Sequence, residues 1–224
     1  MKYIPHPYQT YCISRVIIDP AIALMLDMGL GKSVITLTAI NDLKYNRFAV
    51  NRVLVIAPKK VAEATWNKEA QKWGRLKHLR IIPVLGSVQK RIRALNTPGD
   101  VWIINRENVV WLTDYFANAW PFDMVVIDES TSFKSHQAKR WKALKRIRPR
   151  INRIVELTGT PAPNGLIDLW AQIYLLDEGH RLGKTIGGFR ERYFDPDARN
   201  AQQVFSYKPK DGADNVIQSL IGDI

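Results

Sequence analysis

The run Asp27, Met28, Gly29, Leu30, Gly31, Lys32, Ser33 decides how this chain is read. Before it lies Ala21 to Leu26, short and almost wholly apolar, as suits a strand buried on both faces of a sheet. After it, Val34, Leu37 and Ile40 recur at helical spacing. A strand, a glycine turn and a helix in that order make a phosphate-binding loop. Backbone N–H groups wrap phosphate where glycine permits close approach, and the helix N-terminus adds partial positive charge. Lys32 is then placed to reach the outer phosphates of a nucleoside triphosphate, and the Ser33 hydroxyl to ligate magnesium. The pattern departs from the phosphate-loop consensus at Leu26, where glycine is usual, so further motifs have to support it.

Two further motifs do. Met124 to Ile127 form another short apolar run that ends in Asp128 and Glu129. Alone, this reads as a strand running into an acidic turn. Beside a phosphate loop, two carboxylates at the C-terminal end of a buried strand lie in the crevice where parallel sheets bind ligands. Asp128 then holds magnesium through water, and Glu129 orients or deprotonates the attacking water, which favours hydrolysis over mere binding. The third motif, Leu157, Thr158, Gly159, Thr160, Pro161, follows the apolar Ile154 and Val155. Gly and Pro also punctuate ordinary strand exits, but small hydroxyl residues beside a nucleotide can sense the γ-phosphate and pass on its loss.

Strands are expected at 21–27, 52–57, 80–85, 101–105, 124–128 and 153–158, and helices at 6–17, 32–45, 60–73, 87–95, 106–118, 136–147 and 165–176. The alternation gives an α/β fold with a mostly parallel sheet covered by helices on both faces. Trp66 and Trp73, seven apart on one helical face, are expected in the core. Asp177 to Tyr207, rich in Gly, Pro and mixed charge, reads as a mobile extension after that core.

The net charge of +12 and pI near 9.9 point to a nucleic-acid partner. Nine Lys or Arg residues and no acid lie between Lys134 and Arg153, among them Lys134, Lys139 and Arg140. The expectation is a helix buried through Trp141, Leu144 and Ile147, with a basic face that tracks a DNA backbone without reading bases. A single cysteine, Cys12, excludes an internal disulfide and cysteine-based zinc sites. Asp19 and Pro20 interrupt the one long apolar stretch, so no membrane span is expected, and the setting is intracellular, in cytoplasm or nucleoid. His6, His78, His136 and His180 have no metal-ligand spacing, and no Gly-x-Ser-x-Gly occurs.

Taken in order, Tyr8-Gln9, DMGLGKS, VVIDEST and LTGTPAPN followed by Asp168, Leu169 and Trp170 resemble the first motor lobe of the Swi/Snf-like ATPases of helicase superfamily two, from Pro5 to about Tyr193. The family's usual acidic pair before the glycines appears here as Leu26 and Asp27, and its phosphate-loop Thr as Ser33. The resemblance implies a three-layer RecA-like lobe over residues 1–176, with 177–224 leading toward a second lobe. It implies ATP with Mg2+ as cofactor. Gln9 would read adenine, Asp27 to Ser33 bind phosphate, Ser33 and Asp128 hold the metal, and Lys32, Asp128 and Glu129 serve hydrolysis. Thr158, Gly159 and Thr160 would couple nucleotide to nucleic acid, which Pro58, Lys59, Lys60, Asn105 and Arg106 would touch. Motors of this family work with two lobes and an arginine from the second. No second phosphate loop and no Gln-x-x-Gly-Arg-x-x-Arg occurs here, so these residues alone are expected to bind ATP weakly and turn it over slowly. Double-stranded DNA and a second RecA-like lobe are the expected partners. The alternative is a nucleotide-gated DNA-binding switch that does not translocate; a small-molecule kinase would need acceptor-binding features that are not recognisable.

Overall fold

The computed structural model describes residues 1–198 and 206–224. Six strands, β1 (Ala21–Met25), β2 (Val53–Ala57), β3 (Ile81–Val84), β4 (Val101–Asn105), β5 (Met124–Asp128) and β6 (Arg153–Thr158), form one sheet in the order β1-β6-β5-β2-β4-β3. Every pairing in it is parallel. All five residues of β2, of β4 and of β5 are buried, which is why these segments read as unbroken apolar runs.

Alternation along each strand divides the core in two. Val53, Val55 and Ala57 of β2 face one side, with Val16 of α1 (Pro7–Ile18), Ile35 and Ile40 of α2 (Lys32–Tyr45) and Trp66 of α3 (Trp66–Lys72). Leu54 and Ile56 face the other, which also takes Leu95 of α4 (Val88–Asn96), Leu112 of α5 (Val109–Phe116), Leu144 of α6 (Lys139–Ile147) and Trp170 of α7 (Leu169–Asp177). The α/β reading with helices on both faces therefore holds.

The expected helix over 60–73 is divided: Val61–Thr65 is a π-helical turn, and α3 begins at Trp66. Trp66 is fully buried as expected, whereas Trp73 is only partly so.

The expectation of a mobile stretch from Asp177 to Tyr207 is corrected over its described part; 199–205 lie outside the described residues. Phe189 and Tyr193 of α8 (Ile186–Tyr193) are buried in the second core together with Leu182 and Phe194. Strand β7 (Phe194–Pro196) pairs antiparallel with β8 (Tyr207–Pro209), and Ile217 of α9 (Ala213–Ile221) is buried in the same core. Glycines and charges dominate the composition there, but aromatic residues at helical spacing supply the burial.

Because all six strands are parallel, their C-terminal ends share one edge. Met25 registers with Thr158, Leu157 with Asp128 and Ala57 with Asn105. The strand order thus sets the loops after β1, β6, β5, β2 and β4 side by side, although the motifs they carry are far apart in sequence. Among the described residues no helix is long and apolar enough to cross a membrane.

Candidate active site

The phosphate loop leaves β1 and enters α2 at Lys32. Gly29 and Gly31 adopt left-handed backbone, φ +84° and +79°, which glycine tolerates without cost. At Gly31 the space is also taken: a Cβ would stand 2.8 Å from Nε2 of Gln9. Gln9 comes from α1, whose start is fixed by Pro7 and by the His6 backbone N–H donating to Oε1 of Gln9 at 3.0 Å. The Tyr3 hydroxyl donates to the same oxygen at 3.0 Å, so the amide is oriented and its nitrogen donates to the Leu30 carbonyl at 3.3 Å. Gln9 therefore braces the loop. Burial pushes the Tyr3 phenol up to about 12, keeping it a donor. Lys32 Nζ donates to the carbonyls of Leu26 at 2.7 Å and Asp27 at 3.1 Å.

Asp128 ends β5 and is 8% exposed. Burial raises its carboxyl above the usual range, while the hydrogen bond from the Trp66 indole to Oδ2, 2.8 Å long, acts in the opposite sense. The next residue, Glu129, has φ 60° and ψ 62°, a left-handed conformation rare for a side-chain-bearing residue and commonest at functional sites. That turn sets Glu129 apart from the buried strand, where it is partly exposed.

Thr158 ends β6 beside the phosphate loop. Its carbonyl accepts from the Leu26 N–H at 3.0 Å, and its hydroxyl accepts from the Thr160 N–H at 3.1 Å. Gly159 packs so closely that a Cβ there would stand 3.4 Å from the Leu26 carbonyl. The three motifs are thus brought together: the loop, the carboxylates and the Thr-Gly-Thr turn.

A cleft of about 430 Å³ opens over the loop and Asp128, lined by Gly29, Gly31, Lys32, Ser33 and Asp128 together with Tyr3, Gln9 and Trp73. It offers phosphate donors, and an amide beside aromatic surface. Among the described residues no group of three or more His, Cys, Asp or Glu is arranged to hold a metal. Any cation here would have Ser33 and Asp128 of the cleft lining and otherwise oxygens that it brings, which would suit magnesium on a triphosphate. The donor set fits that group.

The expected nucleic-acid residues divide. Lys59 and Lys60 are exposed after β2. Asn105 is buried and its amide donates to Glu107 at 2.8 Å, while Arg106 is paired with Glu107 at 3.1 Å. Of the basic run, Lys134 bridges Asp168 at 3.2 Å, and Arg140 donates to the Ser132 carbonyl at 2.9 Å and lies over the Phe133 ring. Arg148 donates to the Leu175, Leu176 and Ile151 carbonyls. Arg153 reaches the Val16, Ile17 and Asp19 carbonyls at the end of α1. Arg146 pairs with Asp114, and Arg150 with Ala117 and Asn118. The reading of nine unbalanced cations is corrected: partners come from other elements, chiefly last-turn carbonyls that composition does not count. Lys139 and Lys142 are exposed without such bonds among the described residues.

Comparison with known proteins matches residues 20–180 to the SNF2-related domain family. The chain belongs to that family. Its relatives include the putative protein p41 of Acyrthosiphon pisum secondary endosymbiont phage 1, 38% identical over 99% of this chain and 50% of p41. They also include the human DNA excision repair protein ERCC-6-like, 32% identical over 77% of this chain and 14% of that protein. Among solved structures, the Sulfolobus solfataricus SWI2/SNF2 ATPase core in complex with dsDNA superposes with a TM-score of 0.69 at 26% identity, over 86% of this chain and 39% of that one. This SNF2-related domain is therefore RecA-like in fold and spans about half the length of p41, and less of the other two.

Sequence reasoning missed three residues of this SNF2-family site. Tyr3 and Trp73 line the cleft, their rings 5.1 Å apart, and Trp66 touches Asp128. No local signal marked Trp66, because an indole at helical apolar spacing reads as core. It is core, apart from one N–H.

Proposed function

We propose that this chain is the first, nucleotide-binding lobe of a two-lobed, DNA-dependent ATPase that tracks double-stranded DNA. The carrying observation is the adjacency of the phosphate loop, Asp128 with Glu129, and Thr158 to Thr160 on three neighbouring strands. Membership of the SNF2-related family and likeness to an ATPase core described as bound to dsDNA support the partner.

In this reading Gln9 sits at the adenine and Asp27 to Gly31 turn backbone N–H groups toward the phosphates. Lys32 leaves its resting carbonyls for the outer phosphate. Ser33 and Asp128 would hold magnesium, which when bound neutralises charge on the phosphate oxygens. Glu129 orients a water and accepts its proton as ATP goes to ADP and phosphate. Thr158, held against the loop through Leu26, transmits the change to the nucleic-acid face, where Pro58 and the exposed Lys59 and Lys60 meet the backbone with Lys139 and Lys142. The lobe takes in residues 1–176 and also α8 and α9, which pack into its second core through Phe189, Tyr193 and Ile217, and the setting is intracellular.

An arginine supplied across such a cleft is worth about 10³ to 10⁵ in rate, so these 224 residues alone are slow. The test is ATP hydrolysis by this chain alone and joined to its second lobe, each with and without duplex DNA. Near-silence alone and strong DNA stimulation in the joined protein are expected. Robust DNA-stimulated turnover by this chain alone contradicts the two-lobe reading. Nucleotide binding without hydrolysis in either form replaces the motor with a nucleotide-gated switch.

A further inference from the structure

Trp66 is wholly buried, yet its indole N–H is not spent on a carbonyl of its own helix. It crosses from α3 to the end of β5 and donates to Oδ2 of Asp128 at 2.8 Å. The π-helical turn Val61–Thr65 precedes it directly. One extra residue in a turn rotates all that follows by about 100° around the helix axis. Lys59 and Lys60, before that turn, are exposed, whereas Trp66, after it, faces the sheet. An indole only donates, so the bond assigns Oδ2 as acceptor and holds the carboxylate in one orientation at the cleft.

We propose that Trp66 is a positioning residue for the metal-holding carboxylate: its N–H locks Asp128 in the orientation that receives magnesium on a triphosphate. The inference rests on the nucleotide reading of the cleft. Partners of this outer-shell kind change metal affinity by about 10- to 100-fold when removed. A purely structural indole would change stability and leave the metal response alone.

The test titrates magnesium against binding of a fluorescent ATP analogue by the wild-type chain and by Trp66→Phe, with a parallel measurement in EDTA. The variant is expected to bind the analogue in EDTA as the wild type does, and to need about tenfold more magnesium for the same strengthening. Superimposable magnesium curves overturn the proposal, as does an equal loss of affinity with and without the metal. If the Phe variant does not fold, placing benzothienylalanine at position 66 keeps the bicyclic shape without the N–H and is read by the same criteria. A wild-type chain that binds no analogue in either buffer overturns the nucleotide reading itself and this inference with it.

Discussion

The hydroxyl of Ser130 donates to Oε1 of Gln172 at 2.8 Å, with both residues buried. The Gln172 amide nitrogen donates in turn to the carbonyls of Pro161 at 2.7 Å and Asp168 at 3.1 Å. One side chain on α7 thus joins the residue after Glu129 to the loop that begins with Thr158, Gly159 and Thr160. Gln172→Leu strips the partner from a hydroxyl and two carbonyls. Each buried orphan costs about 1–3 kcal/mol, and urea denaturation is expected to show a loss of about 3 kcal/mol or more at unchanged m. A loss below about 0.5 kcal/mol means that the network carries little.

Glu156 lies on β6, 1% exposed, with Oε1 unpartnered, and burial drives its carboxyl well above the usual range. The folded chain keeps a proton that the unfolded chain releases above about pH 4.5, so stability falls as pH rises from there toward the folded pKa. Relative to Glu156→Gln, the wild type is expected to lose about 1.4 kcal/mol per pH unit across that window. The difference between their thermal midpoints, followed from pH 4 to 8, grows with pH. Parallel profiles contradict a protonated Glu156.

Lys32 rests on the carbonyls of its own loop, partly exposed to solvent. Lys32→Ala is expected to leave the thermal midpoint nearly unchanged. Nucleotide binding, followed by titration calorimetry, weakens by about 1.5–3 kcal/mol, the range for a hydrogen bond to a charged group. Undiminished affinity rules out contact between Lys32 and phosphate.

Arg153 and the lysines of α6 are expected to behave in opposite ways. Arg153→Met leaves the last carbonyls of α1 without their donor, at a cost of about 2–4 kcal/mol in stability, with duplex affinity kept. Replacing Lys139 and Lys142 by Ala changes stability by less than about 0.5 kcal/mol. It also lowers the slope of log affinity against log salt by about 1 for each lysine that met a phosphate. A slope unchanged in the double variant removes that face from the DNA surface.

Much of the fold was legible in the sequence because its signals are local. The strand at 101–105 and the helix at 32–45 appear with those bounds, since a buried parallel strand is a short apolar run and the helix starts where the glycine loop ends. The loop itself, Asp128 with Glu129, and Thr158 to Thr160 were legible as motifs. The second core's outer helix was not, because Phe189 and Tyr193 lie among glycines and charges that composition weighs more heavily. The basic run was misread for a related reason: the carbonyls that engage Arg148 and Arg153 belong to other helices, and every residue has a carbonyl.

By itself, then, the sequence determined that a phosphate loop, two carboxylates and a small-hydroxyl turn each follow a buried strand. The strand order β1-β6-β5, which makes these three neighbours, belongs to the tertiary structure. So does the bond from Trp66 to Asp128, 62 residues apart, and the engagement of most of the basic run in closing helix ends and pairing with distant acids. Periodicity reports which side of an element is buried. Which donor meets which acceptor across the sheet is set by register and crossover, and these are fixed only when the whole chain packs.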